Sequence, residues 1–394
     1  MIAAVVLVVL SFQAALDRAV TVSPDVTQAR ERVREQAALL AAARASASPA
    51  ITANYAQSPQ AGNNNGTITQ RLVTVGGQVT LGDYFTYSPL VRQAQANVDA
   101  AQFDLLEAQR AERVKTTGLY FSTLRAAAEL TLRDQLVSGA QSDLRAAELR
   151  FHAGDAPRLD IVRAQVSLAR AQGDRNAAAT SLLNAQSALE IELDAPGTLD
   201  LSATFPPPMA PADPQTFVLR ALSARGDLAA AEKAVAAEAA AVGVARRGNL
   251  PAIVINAGYT TGTDTGIFVR GPSANVQLTF PVSRAAASRA DAERARLAQA
   301  QARALSIRKQ IGVEVGNAAR TYAETARARE IATRARTAAQ QELAATQTGY
   351  RSGASSSLDV ADARRTYVQA ALDELTAMYA RAQAAAALEE LLGP

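Results

Sequence analysis

Each half of the chain contains two short segments in which apolar and polar residues alternate. Ala50–Gln57 and Thr67–Val75 form the first pair, and Ala252–Thr261 and Phe268–Phe280 form the second. Alternation at period two is typical of a strand whose two faces meet different surroundings. The polar residues between the members of each pair include Gly, Asn and Asp, which favour tight turns. The pattern therefore predicts two β-hairpins.

A very long helical pattern follows each hairpin. Leu90–Phe151 and Ala285–Tyr350 contain no proline, and their apolar residues recur at steps of three and four, as in a coiled coil. About sixty residues at 1.5 Å per residue correspond to about 90 Å, far longer than a helix in an ordinary globular domain. Each pattern ends near a glycine, Gly154 or Gly353, which we expect to reverse the chain with a positive φ so that a shorter helix returns.

The two halves of the chain repeat each other. A shift of about 200 residues brings equivalent positions into register, which indicates an internal duplication. The matched pairs are Arg18 with Arg220, Asp25 with Asp227, Pro49 with Pro251, Tyr120 with Tyr322, and Gly154 with Gly353. We predict a first structural repeat over residues 11–193 and a second over residues 215–394. Residues 194–214 between them are rich in proline and predict a linker or irregular segment.

The first ten residues, Met1–Leu10, are apolar throughout. As a helix they would cover about 15 Å, half of the hydrocarbon core of a bilayer. We interpret this segment as the remnant of a secretory signal peptide, with a short buried helix as the alternative. No other stretch approaches the roughly 18 consecutive apolar residues that a transmembrane helix requires.

Composition excludes several classes of function. The chain has no Cys and one His, His152, which excludes disulfides, iron–sulfur clusters, thiol catalysis and a multi-histidine metal site. We find no glycine-rich phosphate loop, catalytic His/Ser pair or metal-ligand spacing, and we predict no enzymatic activity, no cofactor and no metal site. The 40 Lys and Arg residues nearly balance the 37 Asp and Glu residues and lack the clustering expected of a nucleic-acid-binding protein.

The number of strands limits how the hairpins could be used in a membrane. Four strands cannot close a barrel, and an open sheet in lipid would leave backbone groups unpaired. Small membrane barrels have at least about eight strands, and three chains would supply twelve. We therefore expect a mainly α protein with a small β portion, in which a trimer forms a 12-stranded β-barrel continuous with an α-barrel of long helices. The alternative is a soluble coiled-coil adaptor or scaffold protein whose hairpins pack on protein.

Several motifs occur in a fixed order along the chain. They are Ser23-Pro24-Asp25-Val26, Pro49-Ala50-Ile51, the two glycines at the helix reversals, and Gly349-Tyr350-Arg351-Ser352-Gly353 followed by Leu358-Asp359-Val360-Ala361-Asp362-Ala363. In this order the chain resembles the outer-membrane efflux protein (TolC-like) family of Gram-negative bacteria. The resemblance implies a trimeric outer-membrane channel with a long periplasmic α-barrel. It also implies a tripartite efflux or type I secretion system, in which a periplasmic adaptor and an inner-membrane pump hand over a drug, a metal or a protein.

The resemblance also implies a site at the periplasmic entrance. Asp359 and Asp362 match acidic residues that ring the opening, and threefold symmetry would gather six carboxylates that favour cations. Tyr350 matches a tyrosine that links neighbouring helices in the closed state, whereas Ser355 stands where family members can carry an arginine. The reversals at Gly154 and Gly353 would form the tip that an adaptor grips.

A structural role for the two acidic residues is the alternative. Asp359 and Asp362 lie where a helix begins, and acidic side chains there complement the helix dipole. The first repeat supports this alternative, because it has Asp160 at the position of Asp359 but Arg163 where the second repeat has Asp362. Neighbouring arginines such as Arg364-Arg365 predict solvated faces or pairs between protomers. The sequence does not identify the substrate.

Overall fold

The computed structural model describes residues 9–61, 67–195, 200–202, 205, 213–248, 250–264, 267–280 and 285–393. The predicted hairpin tip at 62–66, part of the tip at 262–266, most of the predicted signal segment and most of the 194–214 linker lie outside these residues. Among the described residues, no helix is both long and apolar enough to cross a membrane.

The order of helices and long strands is the same in both halves of the chain. The first half contains β1 (Val9–Leu10), α1 (Phe12–Val22), α2 (Pro24–Ala45), β2 (Ala50–Ala61), β3 (Thr67–Thr80), α3 (Leu81–His152) and α4 (Arg158–Glu192). The second half contains β4 (Asp200–Leu201), α5 (Pro214–Ala224), α6 (Gly226–Arg247), β5 (Ala252–Asp264), β6 (Ile267–Thr279), α7 (Ala285–Ser352) and α8 (Ser357–Leu391). The predicted mainly α fold, duplicated and with two hairpins, is confirmed.

The element boundaries differ from the prediction in two respects. The helical stretch before each hairpin is divided, at Ser23 in the first half and at Arg225 in the second. The helix α3 begins at Leu81, nine residues before the predicted start, and continues through Pro89. A proline inside a helix removes one backbone hydrogen bond. The Pro89 ring lies 3.4 Å from where a Cβ on Gly243 of α6 would be placed, so packing against α6 accompanies the longer helix.

The four long strands form one antiparallel sheet in the order β2-β3-β5-β6. The β3–β5 pairing joins the two halves, with Gly76 opposite Gly258. A Cβ on Gly258 would lie 2.6 Å from the Val75 carbonyl oxygen, so this close approach needs glycine. One face carries exposed apolar side chains, among them those of Ile51, Val75, Tyr259, Val276 and Leu278. Within the described residues, β2 and β6 each pair along one edge only.

The chain divides into two compact units. One consists of Ala29–Leu105 and Gly226–Arg308 and holds the sheet. The other consists of Met1–Gln28, Leu106–Arg225 and Lys309–Pro394. The core of this second unit contains the buried side chains of Tyr120, Phe121, Leu189, Leu193 and Tyr379, with the rings of Phe12 and Phe205 packed against them.

The two repeats attach the junction of their first two helices to the following long helix at equivalent positions. Ser23 Oγ donates to Glu112 Oε2 at 2.8 Å, and Arg225 Nη1 donates to Glu314 Oε2 at 3.2 Å. The chemistry differs between the repeats. The pKa of Glu112 is raised, because its carboxyl is buried and hydrogen-bonded to the carboxyl of Glu192. The same position thus carries a buried pair of carboxyl groups in the first half of the chain and an ion pair in the second half.

Candidate functional site

The two helix reversals have the same backbone structure. Gly154 and Gly353 both have φ of 82°, in the left-handed region that favours glycine. The turn after α3 is closed by a bond from the Asp155 amide to the Arg150 carbonyl at 2.8 Å, and the turn after α7 by a bond from the Ala354 amide to the Gly349 carbonyl at 2.8 Å. A Cβ on either glycine would meet nothing within 4 Å, so conformation and not space requires glycine there.

Tyr350 lies one turn before the second reversal and contacts two other helices. Its hydroxyl donates to Asp160 Oδ2 on α4 at 3.3 Å. The Arg150 guanidinium of α3 lies 4.3 Å from the centroid of the Tyr350 ring and donates to the Tyr350 carbonyl at 2.8 Å. Burial, together with the negative charge of Asp160, raises the pKa of the Tyr350 hydroxyl. Tyr350 therefore ties the end of α7 to the end of α3 and the start of α4.

Asp160 is the centre of this cluster. Its residue is only 9% exposed, and it accepts a hydrogen bond from Ser357 Oγ of α8 at 2.6 Å as well as the bond from Tyr350. Arg163 Nη1 lies 3.9 Å from Asp160 Oδ1 and donates to Ser357 Oγ at 3.2 Å. One carboxylate thus joins the first turn of α4 to α7 and α8. The sequence assigned Asp160 no role of its own, although its equivalence to Asp359 was a signal that could have drawn attention to it.

Asp359 and Asp362 lie on the first turns of α8 but do not share these contacts. The Asp359 carboxylate accepts from the Ser356 amide at 2.7 Å and from Ser356 Oγ at 2.8 Å, and it forms a capping box at the start of the helix. These bonds, the backbone bond first, lower the pKa of Asp359. Asp362 Oδ1 accepts from Arg365 at 2.8 Å. Both acidic side chains are exposed, whereas Tyr350 is half-buried and its partner Asp160 is buried.

Ser355 occupies the second reversal itself. Its amide donates to the Gly349 carbonyl at 3.2 Å, and its Cβ lies 3.3 Å from where a Cβ on Gly349 would be placed. The serine side chain is therefore packed on the last turn of α7. With serine at this position, the polar contacts that link the helices around the turn are those of Tyr350, Asp160 and Ser357, together with the bonds from Arg150 and Arg163.

A cavity of about 350 Å³ lies between α3, α4, α7 and α8 beside this cluster. Its lining includes Tyr350, Asp160 and Ser357 together with Asp143 of α3 and Arg364 of α8. Within the part of the chain that the structure describes, no group of three or more acidic or histidine side chains could hold a metal ion. The site is a set of hydrogen bonds and ion pairs between helices.

Comparison with known proteins identifies the family. The sequence model of the outer membrane efflux protein family matches residues 15–191 and again residues 218–394. No curated protein sequence matches this chain.

Solved channel structures share the fold. A membrane protein from Pseudomonas aeruginosa superposes with a TM-score of 0.85 at 20% identity, over 97% of this chain and 90% of that one. The open state of the MtrE outer membrane channel of Neisseria gonorrhoeae gives 0.81 at 21%, over 97% and 88%. The CmeC outer membrane channel of Campylobacter jejuni gives 0.82 at 16%, over 97% and 85%.

These findings decide between the two functions that the sequence left open. Neither the family match nor the solved structures support a soluble adaptor or scaffold. Members of the matched family transport solutes, and they work together with a periplasmic adaptor and an inner-membrane pump. The chain belongs to the outer membrane efflux protein family, and it is an efflux channel of the outer membrane with a periplasmic extension.

Proposed function

We propose that three copies of this chain assemble into one conduit and that the sheets of the three copies close a 12-stranded barrel. The sheet supports this assembly in two ways. Its outer strands β2 and β6, of 12 and 13 residues, leave backbone groups available along one edge each. Its exposed apolar face, with Ile51 at 89% and Val276 at 67% exposure, suits contact with lipid. Neighbouring copies would pair both free edges and remove the cost of unpaired groups in hydrocarbon.

We also propose a division of the chain into two repeats and a connecting segment. Residues 11–193 and 215–394 are the two structural repeats, and residues 194–214 connect them. The two repeats contribute equally to the sheet, with one hairpin each.

The periplasmic entrance is gated where α3, α4, α7 and α8 reverse. The bond from Tyr350 to Asp160 carries this proposal, because it joins the second helix pair to the first at the helix ends. Opening requires α7 and α8 to move away from α3 and α4, and therefore requires this bond and the bond from Ser357 to Asp160 to break. Asp359 and Asp362, exposed on α8, would line the opening and give it a preference for cations.

The reversals at Gly154 and Gly353 form the surface that a periplasmic adaptor contacts. Large apolar side chains are exposed close to both turns, with Leu149 at 71%, Leu159 at 53% and Leu358 at 52% exposure. Apolar side chains exposed together are typical of a surface that another protein covers. An inner-membrane pump supplies the energy and selects the drug, metal or protein that passes, since the channel itself conducts passively.

Ion selectivity in planar bilayers tests the entrance. We expect the wild-type channel to prefer cations, and we expect Asp359→Ala and Asp362→Ala to weaken this preference or raise the conductance, because they remove carboxylates from a narrow opening. The matched control is Asp174→Ala, which removes an exposed carboxylate from α4 that pairs with Arg133. Selectivity and conductance that stay the same in both entrance variants would exclude Asp359 and Asp362 from the pore.

A further inference from the structure

Arg364 forms an ion pair that is separate from the cluster around Asp160. Its side chain on α8 is 14% exposed and pairs with the carboxylate of Asp143 on α3, whose side chain is 32% exposed. The positive charge of Arg351, in the last turn of α7, also acts on Asp143. We predicted solvated faces or contacts between protomers for the neighbouring residues Arg364 and Arg365. This prediction is wrong for Arg364, which pairs within the chain, whereas the side chain of Arg365 is exposed to solvent.

A glycine on α3 provides the space for this arginine. A Cβ on Gly139 would lie 2.6 Å from Arg364 Nη1, so the end of the arginine side chain would have to move away from its present position. Glycine within a helix is unfavourable relative to alanine, and at this position it leaves room for the guanidinium. Gly173 in the neighbouring helix α4 provides the contrast, because a Cβ there would meet nothing within 4 Å. The guanidinium of Arg364 thus lies directly against the backbone of α3.

The surroundings make this pair sensitive to separation. Burial raises the pKa of Asp143 despite the nearby arginines. Arg364 Nε is buried and finds no hydrogen-bond partner among the described residues. The ion pair is partly buried, so separating its two charges leaves each of them less hydrated than a surface charge would be, which is unfavourable. The pair therefore favours the arrangement in which α8 stays close to α3.

We infer that Asp143, Gly139 and Arg364 form a clasp that holds α8 against α3 and must be released when the channel opens. This inference rests on the proposed gating function. Arg364 lies seven residues beyond the start of α8, about 10 Å along the helix from Ser357. The clasp therefore acts on a second level, farther from the reversals than the bonds of Asp160. Arg364 and Gly139 are positioning residues, because they set the distance between two helices.

Two variants with matched controls test the clasp in planar bilayers. Arg364→Met keeps much of the length of the side chain but removes its charge, and Gly139→Leu fills the space that the guanidinium occupies. We expect each to raise the open probability by about tenfold, which corresponds to about 1.4 kcal/mol at 25 °C. The controls are Arg175→Met, which breaks an exposed ion pair between α4 and α3, and Gly173→Leu, which places a side chain in open space. Both controls should behave as wild type.

A distance measurement separates release of the clasp from a general loss of structure. The chain has no cysteine, so spin labels can be attached at Gln141→Cys on α3 and Thr366→Cys on α8, two exposed positions. We expect Arg364→Met to lengthen or broaden the distance distribution between the labels while the protein keeps its assembly state, and Arg175→Met to leave it unchanged. Wild-type distances in Arg364→Met would overturn the clasp.

The conductance results distinguish failure of the clasp from failure of the proposed function. If the wild type conducts and Arg364→Met and Gly139→Leu conduct equally well and open equally often, the clasp is refuted and the gated channel stands. If the wild type forms no conducting channel, the proposed function is refuted, and the clasp, which rests on it, is refuted with it.

Discussion

Replacing Asp160 with alanine should open the entrance, because this carboxylate joins three helices. Asp160→Ala removes the acceptor of two hydrogen bonds, from Ser357 Oγ at 2.6 Å and from the Tyr350 hydroxyl at 3.3 Å. A hydrogen bond to a charged group contributes about 1.5–3 kcal/mol, and the longer bond from Tyr350 belongs at the lower end. The sum of about 3 kcal/mol or more corresponds to a shift of about 100-fold or more towards the open state.

Tyr350→Phe tests the magnitude of this prediction, because it removes one of the two hydrogen bonds that Asp160→Ala removes. It removes only the 3.3 Å bond to Asp160 and leaves the Tyr350 backbone carbonyl bonded to Arg150. We expect a shift of about 1–1.5 kcal/mol, or about tenfold, and therefore a clearly smaller effect than that of Asp160→Ala.

Single-channel recording in planar bilayers measures the open probability of both variants. Asp174→Ala serves as the control, because Asp174 is an exposed carboxylate on the same helix whose ion-pair partner is Arg133. If Asp160→Ala opens no more often than Asp174→Ala while its assembly state is intact, the hydrogen bonds of Asp160 do not hold the entrance closed. A larger effect of Tyr350→Phe than of Asp160→Ala would likewise show that these hydrogen bonds do not determine the equilibrium.

Two further predictions concern stability. Gly353→Ala should destabilise the protein by about 1–2 kcal/mol, because φ is 82° at this reversal, whereas Gly173→Ala should stabilise it by up to about 1 kcal/mol; equal melting temperatures for the two variants would contradict this difference. Burial raises the pKa of Glu112 above the ordinary value of 4.5, so its contribution to stability is complete at lower pH and is lost as pH rises through the raised pKa. The pKa of Glu192 is lowered below 4.5, so its contribution to stability is complete above pH 4.5 and is lost as pH falls through the lowered pKa. Glu112→Gln should therefore reduce the dependence of the melting temperature on pH between pH 4.5 and neutral pH. If the melting temperature of the variant changes with pH as it does in the wild type, Glu112 is not the titrating group.

The sequence predicted the elements well because their signals are local and repeated. Alternation over Ala252–Thr261 is a property of the strand itself, and the steps of three and four in the long helices persist over many turns. The glycine at each reversal was also readable, since a left-handed φ of 82° strongly favours glycine. The same signals recur in both halves, which makes each of them more specific.

The contacts between helices could not be read in the same way. Tyr350 and Asp160 are 190 positions apart and meet only because two helix reversals lie side by side. Arg364 and Arg365 look equivalent in the sequence, but successive residues on a helix point about 100° apart, so one is buried against Gly139 and the other is exposed. Which of the two faces α3 is decided by how the helices pack. Local periodicity does not contain this information.

The proposed assembly can be checked by counting the chains in the particle extracted from membranes. Native mass spectrometry of the protein extracted from outer membranes in mild detergent should give a mass close to three times the 41.2 kDa of the chain, reduced by any cleaved signal segment. We expect a trimer, since neighbouring copies would pair the edges of β2 and β6 that are unpaired among the described residues. A particle with the mass of a single chain would contradict it.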